Sequence, residues 1–147
     1  MIINVHEGRH WENKNAEIIF NPVSVSKSKI AQEIFDINIR YNYTNVYESY
    51  RDYIMGVSKK ELLGDIQLVQ IEDKKFVLNS FVYYDDELNY KALIKTLVEL
   101  FNLLEKYNIT ASISTNFQSI NDKKKESIKQ IIERVFEDCK SDIYLYN

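Results

Sequence analysis

Two polar segments of the chain carry the side chains best suited to hold an anionic ligand. They are residues 21–29 (NPVSVSKSK) and residues 114–121 (STNFQSIN), and both lack glycine. Their hydroxyl, amide and ammonium groups can donate hydrogen bonds to phosphate or carboxylate oxygens. Each segment also precedes a predicted helix, whose first amide groups and positive dipole end attract anions. We therefore expect a ligand site there, although Lys27 and Lys29 also fit a solvated helix start.

The other reactive side chains give weaker indications of chemistry. Asp85 and Asp86 form a carboxylate pair of the kind used in acid–base catalysis, but their place before a long helix favours capping. His6 and His10 lack the clustered Cys or acidic partners of a metal site, and Cys139 falls on the apolar face of the last helix. The sequence contains no nucleophile elbow, P-loop or dinucleotide fingerprint. We therefore expect neither a metal nor a cofactor.

Composition restricts the class of protein. The 147 residues suit one domain, and 45% hydrophobic with 28% charged residues is a globular balance. A single cysteine excludes an internal disulfide and favours a reducing compartment. The first residues do not read as a signal peptide, and no apolar run approaches the roughly 20 residues of a membrane helix. With a net charge of −3, we expect a cytoplasmic protein that binds neither membrane nor nucleic acid.

Alternation and helical spacing of apolar residues predict the elements that position the two segments. Strands are expected at residues 2–5, 16–23, 64–71, 76–83, 110–114 and 143–146. Helices are expected near residues 30–35 with Ser26 or Ser28 as a cap, at 46–54 with Gly56 as a left-handed end, from Asp85 or Asp86 to 107, and from Asn121 or Asp122 to 139. Residues 72–74 are expected to turn a hairpin.

This order of elements predicts an α/β fold over residues 1–147, with a mixed, mostly parallel six-stranded sheet. In such folds ligands bind outside the carboxyl ends of the strands. Residues 21–29 and 114–121 both follow predicted strands, and so does Tyr83. The Tyr83 ring could stack on a base there, although packing is the default explanation of a tyrosine.

Three stretches resemble the macro domain, an ADP-ribose-binding module. Residues 17–24 (EIIFNPVS) are similar to one strand of that family. The family's strand has an acidic residue, three apolar residues and an Asn, which Asn21 matches, and it ends in a second Asn. Residues 63–69 (LGDIQLV) are similar to its Leu-Gly-Asp strand. The helix–strand–loop–helix–strand series that ends in YLY at residues 144–146 matches its C-terminal half. The Asn-Pro-Val start is closest to the branch with ADP-ribose-1''-phosphate phosphatases. The resemblance implies a three-layer α/β/α fold.

The resemblance also implies residue roles. Glu17 would bond the adenine amino group, and Ser24 would replace the Asn that holds the distal ribose. Residues 26–29 and 115–119 would replace the two glycine-rich diphosphate loops, with Phe117 beside the distal ribose. Ser, Lys and Thr cannot turn backbone amides inward as glycine does, so their side chains would hold the anion. The implied ligand-binding set is Glu17, Asn21, Ser24, Ser26, Lys27, Ser28, Lys29, Tyr83, Ser114, Thr115, Asn116, Phe117 and Ser119.

These observations favour a divergent macro-like domain that binds an ADP-ribose-derived nucleotide without catalysis. Because Ser24 lacks the amide of the usual Asn, a pseudoenzyme is favoured over an enzyme. Sequestering a nucleotide signal for a phage, as anti-defence, is one such role. The alternatives are a protein-interaction module on a degenerate macro fold, or a hydrolase of ADP-ribose-1''-phosphate or ADP-ribosyl adducts. In the hydrolase, Ser24 would orient the ribose with help from Asp85, Asp86 or His10.

Overall fold

A computed structural model describes residues 1–26, 35, 37–85, 87–117 and 121–146. The helix predicted near residues 30–35 therefore lies outside the described residues except for Phe35. Phe35 itself is buried and packs against the rings of Tyr47 and Tyr50.

The described elements follow the predicted order closely. The strands are β1 (Ile2–Val5), β2 (Ile18–Ser24), β3 (Ile66–Glu72), β4 (Lys75–Tyr84), β5 (Glu87–Leu88), β6 (Ile113–Asn116) and β7 (Ile143–Tyr146). The helices are α1 (Ile37–Asn42), α2 (Thr44–Met55), α3 (Lys59–Leu62), α4 (Tyr90–Lys106) and α5 (Asp122–Val135), and a 3-10 turn spans His10–Glu12. The short helices α1 and α3 are additions to the prediction.

The strands form one mixed sheet in the order β1-β7-β6-β2-β4-β3. All neighbours in that order are parallel except β3 and β4, which form the predicted antiparallel hairpin. In the described part of the chain the expected six strands become seven, because the chain turns back after β4 and pairs β5 with its end. The turn contains Asp85 at φ 55, a left-handed conformation that Asp tolerates better than most residues. The mixed, mostly parallel α/β sheet is confirmed.

Three predictions about helix ends are tested. Asp85 does not cap the long helix: Asn89 does, because its side chain accepts a hydrogen bond from the Ala92 amide at 2.9 Å. Asn121 caps α5 as predicted, accepting from the Lys124 amide at 2.9 Å. Gly56 ends α2 with φ −99, so the prediction of a left-handed residue there is wrong.

Helices cover both faces of the sheet, each over its own core. One core packs Leu and Ile of α4 and α5 against β2, β4, β6 and β7. The other packs Val46, Tyr50 and Ile54 of α2, with Ile39 and Leu62, against the opposite side of β2 and β4. This is the expected three-layer α/β/α arrangement. Among the described residues, no helix has the length and apolar character needed to cross a membrane.

Candidate functional site

The carboxyl end of β2 lies where the chain changes from one face of the sheet to the other. After β2, helices α1 and α2 pack on one face, whereas α5, which follows the neighbouring strand β6, packs on the opposite face. The β2–β6 pairing stops at Phe20 and Thr115, although β2 continues to Ser24. Adjacent strands whose connections diverge in this way leave a crevice at their carboxyl ends, where open α/β sheets bind ligands.

Ser24 ends β2 with its hydroxyl already engaged inside the protein. The Ser24 hydroxyl donates to the Asp85 carbonyl at 3.0 Å and accepts from the Ser26 amide at 3.3 Å. The Ser24 and Ser26 side-chain oxygens lie 3.5 Å apart, and Ser24 is 0% exposed. These contacts close a tight turn over residues 24–26 and tie it to the end of β4.

The second predicted segment begins later than expected, because Ser114, Thr115 and Asn116 belong to β6. The Ser114 hydroxyl donates to the His10 carbonyl and the Thr115 hydroxyl to the Phe20 carbonyl, both at 2.8 Å. These bonds allow hydroxyl side chains in a buried strand. Asn116, at the end of β6, is half-buried, so it is more accessible to solvent than Ser114 and Thr115.

Asn21 takes part in a row of amides across the sheet. Its side chain donates to Asn79 at 2.8 Å, Asn79 donates to Gln67 at 3.1 Å, and Gln67 donates to the Ser49 carbonyl of α2 at 3.0 Å. The three side chains occupy matching register positions on β2, β4 and β3. The Asn21 amide is therefore engaged with Asn79 inside the sheet, and the row reaches α2 through Gln67.

Comparison with solved structures gives the fold. No protein-family model and no curated protein matches the sequence. The macrodomain of Thermus aquaticus DarG is similar over 100% of this chain and 98% of its own, with 14% identity and a TM-score of 0.76. A Streptomyces coelicolor macrodomain covers 100% and 99%, with 14% identity and a TM-score of 0.77. A Bacteroides thetaiotaomicron protein covers 99% and 99%, with 17% identity and a TM-score of 0.76. The chain has a macrodomain fold.

Within this macrodomain fold, Glu17 is separated from the residues at the crevice. Glu17 precedes β2, and its amide donates to the Ser112 carbonyl at 2.9 Å. Ser24 lies seven positions further along the extended strand, which is roughly 23 Å at ~3.3 Å per residue. The exposed Glu17 side chain therefore lies at the amino end of the sheet.

Two aromatic residues of the predicted set are buried. Tyr83 is 1% exposed and packs in the core beneath α4, where burial raises the pKa of its phenol. Phe117 is 4% exposed and lies 6.1 Å from the Phe20 ring. Both rings thus fill the core rather than face solvent. Lys27, Ser28, Lys29 and Ser119 lie outside the described residues, as does Asp86.

The residues considered for catalysis are dispersed. His10 is 2% exposed in the 3-10 turn beneath β6, and the Asp85 carboxylate lies 4.0 Å from the Lys59 ammonium at the surface. Within the described ranges, no group of three or more His, Cys, Asp or Glu residues could hold a metal. The structure does bring Ser24, Ser26, the Asp85 backbone and Asn116 to one end of the sheet.

Sequence reasoning missed two residues that shape this end of the sheet. Asn79 lies in the middle of β4, and only its register with Asn21 indicates the amide row. The Tyr50 hydroxyl donates to the Ser24 carbonyl at 2.7 Å. The rings of Tyr47, Tyr50 and Tyr53 pack on the face of the helix that was expected at residues 46–54, but the helical spacing contains no signal for that hydrogen bond.

Proposed function

We propose that this chain binds an ADP-ribose-type nucleotide in the crevice at the carboxyl ends of β2 and β6. The observation that carries the proposal is the divergence of the chain there, with α2 and α5 on opposite faces of the sheet. The likeness to macrodomains over the whole chain supports the choice of ligand.

In this proposal side chains and a helix end hold the diphosphate in place of glycine-rich loops. The 14-residue helix α5 begins at the crevice, and its first amides and dipole attract anions. Ser26 and Asn116 lie at the same end. Lys27, Ser28, Lys29 and Ser119 complete the proposed set, with the two lysines neutralising phosphate charge, whereas the Thr115 hydroxyl is bonded to the Phe20 carbonyl inside the sheet. Glu17 is left out, because it lies at the other end of β2.

The proposed site binds without turnover. A hydroxyl that orients the distal ribose must be available to it, whereas the Ser24 hydroxyl bonds the Asp85 carbonyl and the Ser26 amide. Ser24 is also 0% exposed. A binder of this kind would suit sequestration of a nucleotide signal, including the anti-defence role of a phage protein.

Titration calorimetry tests the proposal with ADP-ribose, ADP-ribose-1''-phosphate and cyclic forms. We expect saturable heat with at least one of them and no product by chromatography. Replacing Lys27 and Lys29 together by Ala should weaken binding about tenfold, the scale of one charge-assisted hydrogen bond. The matched control replaces Lys106 and Lys140, exposed lysines at the opposite end of the sheet, and should leave the affinity unchanged. No heat with any of these nucleotides at millimolar concentration would overturn the proposal.

One observation favours a protein-interaction module as the second candidate. The side chains at the carboxyl ends of the central strands are buried: Ser24, Ser26, Tyr83, Thr115 and Phe117 are each at most 4% exposed. Side chains that are buried at this end of the sheet leave few groups for a nucleotide to contact, so the outer surface of the domain would recognise a protein partner instead. A stoichiometric partner recovered by pull-down, together with silent nucleotide titrations, would favour this candidate.

A further inference from the structure

The Tyr50 hydroxyl reaches from α2 to the turn at the end of β2. Tyr50 is 4% exposed, and its ring stacks on Phe81 at 5.9 Å with an interplanar angle of 5°. Tyr47 stacks on it at 6.0 Å, and Phe35 meets it edge-on at 5.0 Å. Because three aromatic rings surround the Tyr50 ring, packing restricts its orientation and thereby fixes the position of its hydroxyl.

That hydroxyl contacts two backbone carbonyls of the same turn. It donates to the Ser24 carbonyl at 2.7 Å, and the Ser26 carbonyl lies 3.3 Å away. One proton serves both oxygens, and the nearer one receives the stronger bond. A phenol is protonated at neutral pH and can donate, and burial raises the pKa of Tyr50 further above its ordinary value.

The turn depends on this donor because β6 no longer accompanies β2 there. The β2–β6 pairing ends at Phe20, and beyond Ser24 the Val25 amide donates to the Tyr83 carbonyl at 3.0 Å. The turn is thus tied to β4 through its amide and to α2 through its carbonyls. Backbone carbonyls that are buried without a donor are costly, so the phenol fixes the direction in which the chain leaves the sheet.

We infer that Tyr50 is a positioning residue for the nucleotide site: its hydroxyl holds the Ser24–Ser26 turn in place at the carboxyl end of β2, where the proposed ligand binds. The inference rests on the proposed function. Tyr50 acts through the turn, because a ring that is 4% exposed offers a ligand almost no surface. Affinity then depends on a single buried oxygen on a helix that was expected only to pack.

The test compares Tyr50→Phe with Tyr53→Phe. Both variants remove one hydroxyl from α2 and keep the ring, but the Tyr53 hydroxyl donates to the Asp65 carboxylate at 2.7 Å, away from the turn. We expect Tyr50→Phe to weaken binding of ADP-ribose about 5- to 10-fold, and Tyr53→Phe to change it less than about twofold. Hydrogen exchange at the Val25 and Ser26 amides should accelerate about tenfold in Tyr50→Phe alone.

A rescue experiment separates positioning from a general loss of stability. Replacing Tyr50 by 4-aminophenylalanine restores a donor in the same place, and we expect affinity within about threefold of wild type. This variant also serves where Tyr50→Phe is too unstable to titrate. If the wild-type protein binds the nucleotide but Tyr50→Phe leaves the affinity or the exchange rate of the Val25 amide unchanged, the inference about Tyr50 is wrong and the proposed function stands. A wild-type protein that binds no nucleotide overturns the proposed function as well.

Discussion

The two faces of the sheet are built from different chemistry. The leucine face packs Leu93, Leu97, Leu100 and Leu104 of α4 with Ile128 and Ile132 of α5. The tyrosine face packs α2, whose Tyr50 and Tyr53 hydroxyls both donate hydrogen bonds, above the amide row of Asn21, Asn79 and Gln67. Burial of hydrocarbon is non-directional, whereas a hydrogen bond fixes distance and angle. The leucine face therefore supplies stability, and the tyrosine face sets the geometry at the end of β2.

The largest expected effect belongs to the leucine face. Leu97 is 4% exposed, and Leu97→Ala removes buried methyl groups and leaves a cavity between α4 and the sheet. The free energy of unfolding should fall by about 3 kcal/mol in urea denaturation. Affinity of the folded fraction for ADP-ribose should not change. Val98→Ala, at a neighbouring position that is 40% exposed, is the control and should cost less than about 1 kcal/mol.

A loss of affinity in Leu97→Ala at a temperature where the protein is fully folded would break the comparison. It would mean that the leucine face also shapes the crevice. An intact affinity with a large loss of stability would sharpen it.

The leucine face was the easier one to predict from the sequence. Apolar residues in α4 and α5 follow a clear 3.6-residue period, which predicted both helices. The strands β2, β4, β6 and β7 beneath them were expected as well. The predicted ends of the helices were less accurate where hydrogen bonds of polar side chains decide where a helix begins. Asp85 resembled a cap by position, but the chain first pairs β5 with β4, so Asn89 became the cap. Propensity alone does not reveal such a two-residue strand.

The site was predicted only as a place in the sheet. The strand expected at residues 110–114 continues to Asn116, and the hydroxyls of Ser114 and Thr115 bond carbonyls of His10 and Phe20, far away in the chain. Such partners appear only once the strands are side by side. The separation of Glu17 from the crevice, in contrast, follows from the sequence itself, since Ser24 lies seven positions further along an extended strand.

The second prediction concerns the amide row on the tyrosine face. Asn79 is 0% exposed, and Asn79→Ala removes the acceptor of Asn21 and the donor to Gln67. Because the buried Asn21 and the half-buried Gln67 each lose a hydrogen-bond partner, unfolding free energy should fall by about 2 kcal/mol. Gln70→Ala, an exposed amide on β3, is the control and should change stability by less than about 0.5 kcal/mol.

A double-mutant cycle of Asn79→Ala with Gln67→Ala isolates the bond between the two amides. We expect the losses to be non-additive by about 1 kcal/mol, because the second substitution removes a group that the first already left without its partner. Additive losses would mean that the row fills space and carries no directional contact, which would weaken the distinction between the faces.

The smallest expected effect is a dependence of stability on pH that both faces share. Burial raises the pKa of Tyr50 on the tyrosine face and of Tyr83 on the leucine face above the ordinary value of about 10. Above pH 10 the unfolded chain therefore loses these protons before the folded protein does. Their contribution is fully present below pH 10, and each group then lowers stability by up to about 1.4 kcal/mol per pH unit as pH rises.

Urea denaturation between pH 8 and 11 measures this slope. Tyr50→Phe and Tyr83→Phe should each make it shallower above pH 10, whereas Phe81→Leu should lower stability equally at every pH, since it removes no titrating group from the stack on Tyr50. If only Tyr83→Phe changed the slope, the Tyr50 phenol would be reached by water in the folded protein. That result would contradict a rigid hydroxyl at the turn, because a hydrated phenol has other partners than the Ser24 carbonyl.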